Sequence, residues 1–573
     1  MKLKTKLGIF LTLLMLVATT VGCSPIKPST SENTTNPSED PTTVTTNPTN
    51  PEESVIPPSV DPSTPDVSTS TPDSTITEPS VVPPSDTTPS TSVVAPSVTD
   101  PSTSTNTPSI SDPTTKPNDG KQELSYEEFN NKYKMSDFFG HTNKIKVNIE
   151  MNKDELYELS EDYDKYPHHS SPIYRVCDVI FTINNDSVRF NKVGIRLKGN
   201  TSRRKFVNSN GEIYAAVHFK FDFNELIDYV DYTAEEEAHI DERTFLGLKK
   251  LDIKWNKNYD TSHIKEYVAS ELYKEYDVKS QQMGFCQTII NGTNMGLYYT
   301  YETVDKQFIK RNYPKAEQGG DLYKACYTAT GPADFRSAKV GENVGEEDEE
   351  ANQKNGFFPS YDIKTNKDET DHSSLTNMIS VLNKSNVKVS DIEEVVDLEQ
   401  FIKYEAVSYV LGDPDDLRNN WNNSYIYFNA DTKLAEILPY DKDRMFGTQC
   451  DWNPTGNGMV EVNPLSNWAQ GAGKEQTNPL YRNILSRPLS GAEKYVSTYM
   501  NLVKNIFETS VTLSSFAVTY EYVKSLYNDI VDADNDLPSI VFSTSDYTNL
   551  TFNDYISKKS AHFTKKYNEW ANN

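Results

Sequence analysis

The sequence predicts an α+β fold in which strands dominate the first part of the folded region and helices dominate the second. Between residues 144 and 301, short runs of β-branched and aromatic residues are separated by turn-forming Asn, Asp and Gly. Beyond residue 370, apolar residues recur at helical spacing. A long polar segment precedes both parts, which predicts a disordered linker in front of the fold.

The first 23 residues have the pattern of a targeting segment. Three lysines among the first six residues precede an apolar run at 7–21 that is too short for a comfortable membrane span. Small residues come directly before Cys23, which resembles a bacterial lipobox. We therefore predict a lipoprotein signal peptide at 1–23 with lipid attachment at Cys23; an ordinary signal peptide cleaved nearby is the alternative.

Residues 24–122 consist mainly of Ser, Thr, Pro, Asn and acidic residues, without aromatic residues or Cys. Such a composition buries too little apolar surface to fold. A flexible chain of this length spans roughly 50 Å, or roughly 300 Å as extended polyproline helix. A lipid followed by this tether predicts an extracytoplasmic, membrane-anchored lipoprotein at the cell surface.

The remaining residues, 123–573, are enough for one large domain or two lobes. The formal net charge of −27 argues against nucleic acid or anionic lipid as a partner, so membrane contact is expected through the Cys23 lipid alone. The later cysteines lack C-x-x-C spacing, which argues against a zinc ribbon. Their number allows two disulfides, and buried thiols are the alternative. These cysteines are Cys177, Cys286, Cys326 and Cys450.

In the first part, alternation and turn residues delimit the elements. Asn291-Gly292 is typical of a hairpin turn, and Asp260 to Ser262 can cap the helix that follows. We predict strands at 144–149, 174–183, 188–197, 215–223, 245–255, 285–290 and 295–301, and helices at 151–163, 264–276 and 304–312. Residues 228–243 are a polar segment without a predicted element.

In the second part, apolar spacing predicts helices at 374–382, 395–411, 479–486, 493–507 and 513–530. The acidic run at 341–354 is predicted to be a solvated loop.

Two acidic pairs, Asp415/Asp416 and Asp441/Asp443, flank the strand-like runs SYIYF and AEILPY. An Asn-Ala-Asp turn joins the two runs, so a hairpin would bring both acidic loops to one edge of a sheet. Carboxylates and amides gathered there suit Mg²⁺ or Mn²⁺. Phosphoryl transfer uses this layout, with one Asp near the attacking hydroxyl and an Asn and an Asp on the metal. Two solvated turns are the alternative.

Two earlier segments offer phosphate-binding groups. The strand at 188–197 leads into Lys198-Gly199-Asn200-Thr201-Ser202, whose N–H groups and hydroxyls can face a phosphate. A plain β-turn is the alternative. Lys220 lies between two Phe residues of a strand, where it must pair or extend to the surface. Neither G-x-G-x-x-G nor a Walker A motif is present.

Several segments, in this order, resemble the spore-coat-protein-H (CotH) kinase family. They are GIRLKGNTS at 194–202, NGTNMGLYYTYETVDKQFIKR at 291–311, DLYK at 321–324, YDIKT at 361–365, NSYIYF at 423–428 and PYDKDRMFG at 439–447. The resemblance implies an atypical protein-kinase-like, two-lobed fold that uses ATP and Mg²⁺ or Mn²⁺. An antiparallel-sheet small lobe is expected at about 140–310, and a mainly helical large lobe at about 311–573.

The resemblance also implies roles for residues around the nucleotide. Lys220 would hold the α/β-phosphates, with Glu266 or Glu271 of the following helix as its partner. Asn200 and Glu302 are further candidates, Glu302 at the end of the strand that would meet adenine. Two other lysines compete for the phosphate role: Lys198 and Lys324.

At the acidic loops, the resemblance implies Asp415 or Asp416 near the attacking hydroxyl. The metal would be held by Asn423, Asp441 and Asp443. The sequence departs from the family pattern at Tyr440, usually Trp, and at Lys198, usually Arg. The kinase loop H-R-D-x-x-x-x-N is absent, although Asn420 keeps the five-residue step from Asp415.

Three functions fit these expectations. The first is a metal-dependent kinase that transfers phosphate from ATP to Ser or Thr of extracellular, coat or surface proteins, its own linker among them. The second is a non-catalytic kinase-like surface module that binds cell-wall or coat components. The third, a phosphotransferase acting on glycan, has the same site and a different acceptor.

Overall fold

A closed barrel of seven strands forms the first part of the described chain. The computed structural model describes residues 122–166, 172–199, 202–256, 260–347, 356–447, 459–466, 478–531 and 550–573. The predicted signal peptide, Cys23 and the linker up to residue 121 lie outside the described residues. Gln122, placed at the end of the linker by composition, already belongs to the first strand.

Eight strands build the first sheet. They are β1 Gln122–Glu123, β2 Ile145–Glu150, β3 Arg175–Ile183, β4 Asp186–Lys198, β5 His218–Asp222, β6 Lys250–Trp255, β7 Met283–Ile290 and β8 Thr293–Glu302. The sheet order is β1-β4-β3-β2-β7-β8-β6-β5, and β5 also pairs with β4, which closes the ring. All pairs within the ring are antiparallel except β2 with β7.

The length of β4 explains the closure. Its 13 residues pair with β3 along most of their length, and its last five residues, 194–198, also pair with β5. Local alternation predicts that these segments are strands, but it does not reveal their partners. The expected antiparallel sheet is therefore present, and its closure into a barrel is a finding of the structure.

Five helices accompany the barrel: α1 Tyr126–Lys132, α2 Met135–Phe138, α3 Lys153–Lys165, α4 Ala234–Glu242 and α5 Lys265–Glu275. Phenylalanine side chains fill the barrel core, where Phe181 stacks on Phe245 with ring centroids 4.0 Å apart. Helix α5 belongs instead to the larger core shared with the second part of the chain. This helix therefore connects the barrel wall to the helical region.

A second sheet follows the barrel. Its strands are β9 Leu322–Ala325, β10 Val344–Gly345, β11 Tyr361–Ile363, β12 Ser424–Phe428 and β13 Ala435–Pro439, in the order β10-β11-β9-β12-β13. β12 and β13 form the predicted hairpin, with Ser424 opposite Pro439 and Phe428 opposite Ala435.

Eight further helices complete the described chain. They are α6 Lys306–Asn312, α7 Ser373–Leu382, α8 Val389–Glu393, α9 Leu398–Leu411, α10 Pro479–Tyr481, α11 Glu493–Thr509, α12 Leu513–Leu526 and α13 Phe552–Ala571. A π-helical turn, Arg482–Ser486, continues α10. Helix α9 is buried along nearly its whole length and leads directly into the first acidic loop.

Most predicted elements are confirmed. Within the acidic run predicted as a solvated loop, Val344–Gly345 form β10 and Val344 is buried, and three further differences have a physical reason. The strand predicted at 245–255 begins only at Lys250, because Leu246 and Gly247 adopt positive φ in a tight turn. Helix α4 lies in the polar segment, where Thr233 and Glu236 form a capping box. Helix α13 was not predicted, since its apolar residues are sparse.

Three of the four later cysteines are free thiols: Cys177, Cys286 and Cys326. Cys450 lies outside the described residues. Among the described helices, none has the length and apolar character needed to cross a bilayer.

Candidate active site

A cavity of about 460 Å³ lies between the outer face of the barrel strands β4–β6 and the second sheet. Nine Lys or Arg side chains line it, against six Asp or Glu side chains. The whole chain carries a formal net charge of −27. A cationic cavity in an acidic protein favours an anionic ligand such as a polyphosphate.

The barrel wall of the cavity consists of alternate residues from three neighbouring strands. Arg196, Lys220 and Asp252 are direct cross-strand partners. Lys198 and Lys254 lie two residues further along β4 and β6, which is roughly 6.6 Å of strand. The intervening side chains are apolar and face the barrel core: Leu197, Phe219, Phe221, Leu251 and Ile253.

Lys198 and Lys220 share one carboxylate on this wall. Lys198 forms an ion pair with Asp252, and the Lys220 ammonium lies 3.9 Å from the same side chain. Burial lowers the pKa of Lys220 to about 8, although Asp252 opposes the shift. Lys220 is therefore only weakly compensated by protein groups, and an anionic ligand would stabilise its charged form.

Lys254 connects the barrel to the second acidic loop. Its ammonium donates to Glu266 of α5 at 2.8 Å and to Asp441, and it lies 3.4 Å from Asp443. Burial acts against the charge, but Asp441, Asp443 and Glu266 together raise the pKa of Lys254 well above its usual value. The same ammonium holds the pKa of Asp441 well below its usual range, against the effect of burial.

The second sheet forms the floor of the cavity. The Lys324 ammonium lies 5.1 Å from the centroid of the Tyr440 ring, and the Lys198 ammonium lies 5.5 Å from it. Lys220 lines the same cavity. Lys198, Lys220 and Lys324, the three candidates for phosphate contact, therefore all line one cavity.

The first acidic loop begins at a fixed point after α9. Gly412 ends the helix in the left-handed conformation, with φ of +65°. A Cβ at this position would collide with the hydroxyl of Tyr555, which donates to the Val410 carbonyl at 2.6 Å. Glycine is therefore required here, and helix α13 fixes the start of the loop.

Asp415 lies at the cavity in a cradle of three amides. Its Oδ1 accepts hydrogen bonds from Asn420 at 2.6 Å and Asn422 at 3.1 Å, and its Oδ2 accepts one from Asn423 at 3.1 Å. Burial raises the pKa of Asp415 to about 6, although the amides of Asn420 and Asn422 lower it. A carboxylate with this pKa suits general-base work near neutral pH.

Two predicted site residues do not line the cavity. Asp416 is buried within the loop, where it accepts hydrogen bonds from the Ser408 hydroxyl and from the backbone and side chain of Asn419. The Glu302 carboxylate is bound by Arg311, and its backbone bonds to the 281–282 segment. The adjacent residues 303–305 line the cavity in its place.

The oxygen ligands at the acidic end of the cavity fit a divalent ion. Asp441 and Asp443 contribute carboxylates, and the buried Oδ1 of Asn420 has no hydrogen-bond partner among the described residues. Asn423 also lines the cavity, and like Asn420 it directs its amide N–H groups at Asp415. Asn420 is therefore an amide candidate in addition to the predicted Asn423.

Across the described ranges, no group of three or more His, Cys, Asp or Glu could hold a metal unaided. Mg²⁺ typically takes one or two protein carboxylates and completes its shell with phosphate oxygens and water. The donor set therefore fits an ion that arrives with a nucleotide.

Backbone strain concentrates in this region. Asn423 and Asp441 have φ of 47° and 54°, and the bulkier Trp421 and Phe446 have φ of 55° and 56°. Such conformations cost about 1–3 kcal/mol each and persist where the surrounding structure enforces them. The two acidic loops are thus held in shape at the expense of stability.

The structure brings together seven of the predicted site residues: Lys198, Lys220, Lys324, Asp415, Asn423, Asp441 and Asp443. Asn200 and Cys23 lie outside the described residues. The predicted pairing of Lys220 with Glu266 or Glu271 is wrong, because Glu266 binds Lys254 and Glu271 binds Lys274.

Lys254 was missed, although a signal for it exists. In Lys250–Trp255 the charged residues 250, 252 and 254 alternate with apolar ones, and Glu266 follows twelve residues after Lys254 on a helix. Lys220 lies in the same kind of strand pattern, so this pattern alone does not distinguish the two lysines.

Comparison with known proteins identifies a curated relative of this chain. Over 209 residues the chain is 24% identical to the inner spore coat protein H of Bacillus subtilis (strain 168), a match that covers 36% of this chain. The chain spans about half, 52%, of that curated relative's length.

A solved complex of the Shewanella oneidensis MR-1 toxin–antitoxin proteins HipA and HipB with operator DNA is 10% identical. That match covers 50% of this chain and 61% of the other, at a TM-score of 0.22, which is too low to support a common fold.

A family model described as CotH kinase protein matches residues 204–558. This segment covers more than half of the chain and includes Lys254, Glu266 and both acidic loops. It thus contains strands β5 and β6 of the barrel wall, the connecting helix and the loops that build the cavity, whereas β4 precedes the matched segment. The chain belongs to the CotH kinase protein family.

Proposed function

We propose that the chain is an atypical, two-lobed kinase that transfers phosphate from ATP to Ser or Thr of surface or coat proteins, with Mg²⁺ or Mn²⁺. The Lys254–Glu266 ion pair carries the proposal. Protein kinases require such a pair, between a strand lysine and a helix glutamate, together with a metal-binding Asp. Here Asp441 lies against the same ammonium.

Each group has a role that follows from its position. Lys254 would hold the α/β-phosphates, with Lys198, Lys220 and Lys324 around the remaining phosphate oxygens. Asp441, Asp443 and the Asn420 amide oxygen would hold the divalent ion, which supplies charge neutralisation at the phosphates. Segment 303–305 borders the part of the cavity left for the base.

Asp415 would orient the acceptor hydroxyl and take its proton during transfer. Its amide cradle leaves the carboxylate fixed in orientation, so little reorganisation is required when the acceptor arrives. A non-catalytic binding module need not retain Lys254, Glu266, Asp415 and Asp441 around one cavity. Their presence together favours catalysis.

The direct test is incubation of residues 24–573 with labelled ATP, Mn²⁺ and candidate surface or coat proteins. Label should appear on Ser or Thr of protein, and K254M should abolish it. Label found only on glycan would identify a glycan phosphotransferase. Bound nucleotide without transfer to any acceptor would support the non-catalytic module.

We expect ATP with Mn²⁺ to raise the Tm of the same protein. A ligand that binds only the folded state adds about 2.7 kcal/mol at a concentration 100 times its Kd. Differential scanning fluorimetry measures the shift, and adenosine with Mn²⁺ is the control because it lacks the phosphates. An unchanged Tm at saturating nucleotide, in a well-folded sample, would contradict a nucleotide site.

For location, the relative's name places that protein in the spore coat, and we propose a coat or surface location for this chain, anchored through Cys23. The C23S variant should lose the lipid and move from the membrane fraction to the soluble fraction. Metabolic labelling with a fatty acid measures the attachment. A C23S protein that is still lipidated and membrane-bound would refute the anchor.

The linker is a further proposed acceptor. It is rich in Ser and Thr and tethered to the kinase, which gives it a high effective concentration. Extended chain also enters a site without the cost of unfolding a domain. Mass spectrometry after incubation of residues 24–573 with ATP and Mn²⁺ should find phosphate within 24–121. Phosphosites confined to the folded region would leave the linker a spacer.

A further inference from the structure

Lys442 lies between the two cavity carboxylates in the sequence but on the opposite face of the loop. Asp441 and Asp443 line the cavity, whereas Lys442 is 5% exposed and does not. Its side chain points into the protein, beneath the loop that carries Asp415. A buried ammonium needs an anionic or carbonyl partner, so its contacts define what it holds.

The partner of Lys442 is a fully buried carboxylate at the start of the first acidic loop. The Lys442 ammonium lies 3.2 Å from Oδ2 of Asp413, which has no exposed surface. It also donates to the Asn423 carbonyl at 3.4 Å. One ammonium therefore contacts both ends of the segment between α9 and β12.

The other oxygen of the same carboxylate reaches the candidate base. Oδ1 of Asp413 accepts the backbone N–H of Asp415 at 2.8 Å, and the Asp413 carbonyl accepts the Asn419 side chain at 2.9 Å. A continuous chain of contacts thus runs from the metal-binding loop through Lys442 and Asp413 to the backbone of Asp415. Neither Lys442 nor Asp413 lines the cavity.

We propose that Lys442 is a positioning residue that fixes the distance between Asp415 and the carboxylates of Asp441 and Asp443. The inference rests on the proposed function, because it assigns those three groups to base and metal roles. Lys442 touches no substrate. It acts by joining the two loops from behind, where the Asn423 side chain also donates to the Asp441 carbonyl and the Phe446 N–H donates to the Leu411 carbonyl.

The contacts also explain why the tie is ionic. A buried carboxylate without a cation is strongly disfavoured, so the Lys442 ammonium and the Asp413 carboxylate hold each other in place. Mutation of residues that position metal ligands typically lowers metal affinity or activity about 10–100-fold. Loss of the Lys442–Asp413 ion pair is therefore expected to weaken metal binding and to slow phosphate transfer.

The test measures the Kd of Mn²⁺ on residues 24–573 loaded with a non-hydrolysable ATP analogue, with the Kd of the analogue as an internal reference. K442M should raise the Mn²⁺ Kd about 10–100-fold, with the analogue Kd within about threefold of wild type. K442R keeps the charge and should restore most of the affinity. A wild-type Mn²⁺ Kd in K442M would overturn the inference.

The double variant K442M/D413N separates positioning from stability. It removes the uncompensated carboxylate, so its Tm should recover relative to K442M. Because the contacts of the Lys442 ammonium are still absent, the Mn²⁺ Kd of the double variant should stay at least about tenfold above wild type. Recovery of both Tm and Mn²⁺ affinity would show that the pair only stabilises the fold, which would overturn the proposal.

R175M is the matched control. Arg175 pairs with the buried Asp162 at 2.7 Å, on the barrel and outside the cavity lining. It should lower Tm without changing the Mn²⁺ Kd; a raised Kd in R175M would assign the effect to instability and overturn the inference. Wild-type protein that binds analogue and Mn²⁺ but transfers no phosphate contradicts only the proposed function.

Discussion

The D415N variant should transfer phosphate about 10²–10⁴-fold more slowly than wild type, which is the range for loss of a general base. Nucleotide affinity should remain close to wild type, because the role proposed for Asp415 concerns the acceptor hydroxyl and not the nucleotide. Asn keeps the shape and one acceptor oxygen, and the amide of Asn423 can rotate to pair with the new N–H group. Single-turnover transfer of labelled phosphate measures the effect.

D416N is the matched control, since the neighbouring carboxylate has the same chemistry and a different surrounding. Asp416 is 1% exposed and holds the loop through Ser408 and Asn419. Its loss should lower Tm, while kcat at a temperature where the protein is folded changes less than about tenfold. If D416N loses transfer and D415N keeps it, the base is Asp416 and the loop geometry assigned here is wrong.

The choice between these two neighbours shows what a sequence leaves open. The hairpin of β12 and β13 was predicted because strand alternation and turn residues are local properties. The same hairpin brought Asp415, Asp441 and Asp443 to one cavity, as expected. Which of two adjacent Asp side chains faces that cavity depends on the φ/ψ angles of the loop, which composition does not determine.

The lysines show the second limit. Lys220 and Lys254 each sit in an alternating strand, each between apolar neighbours. Only the non-local packing of α5 beside β6 places Glu266 on Lys254. In the same way, β4 gives no local sign that its last residues pair with β5, so the closed barrel was not predicted.

Glu302 shows a third limit, which is the face of the strand on which a terminal residue lies. Side chains alternate between the two faces of a strand, so one residue of uncertainty decides which face a terminal residue joins. Tyr301 lines the cavity, whereas the Glu302 carboxylate binds Arg311 outside it. The cavity-lining residues therefore lie just beside the predicted one, and contact of this segment with adenine stays a prediction.

The other large effect is expected for D441A, which should abolish measurable transfer while the protein stays folded. Asp441 accepts a hydrogen bond from Lys254 and lines the ligand space, and the proposed metal-dependent transfer requires its charge. The fold should survive because Lys254 keeps Glu266 at 2.8 Å and Asp443 at 3.4 Å. Transfer of labelled phosphate, Mn²⁺ affinity and Tm are measured on the same preparation.

D443A is the matched control for D441A. Both carboxylates contact Lys254, so either variant changes the local charge by the same amount and controls for electrostatics. If Asp441 is the principal ligand, D441A should weaken Mn²⁺ binding more than D443A does. Near wild-type transfer by D441A would make Asp443 the principal ligand. Near wild-type transfer by both variants would exclude a metal held by this loop and, with it, the proposed mechanism.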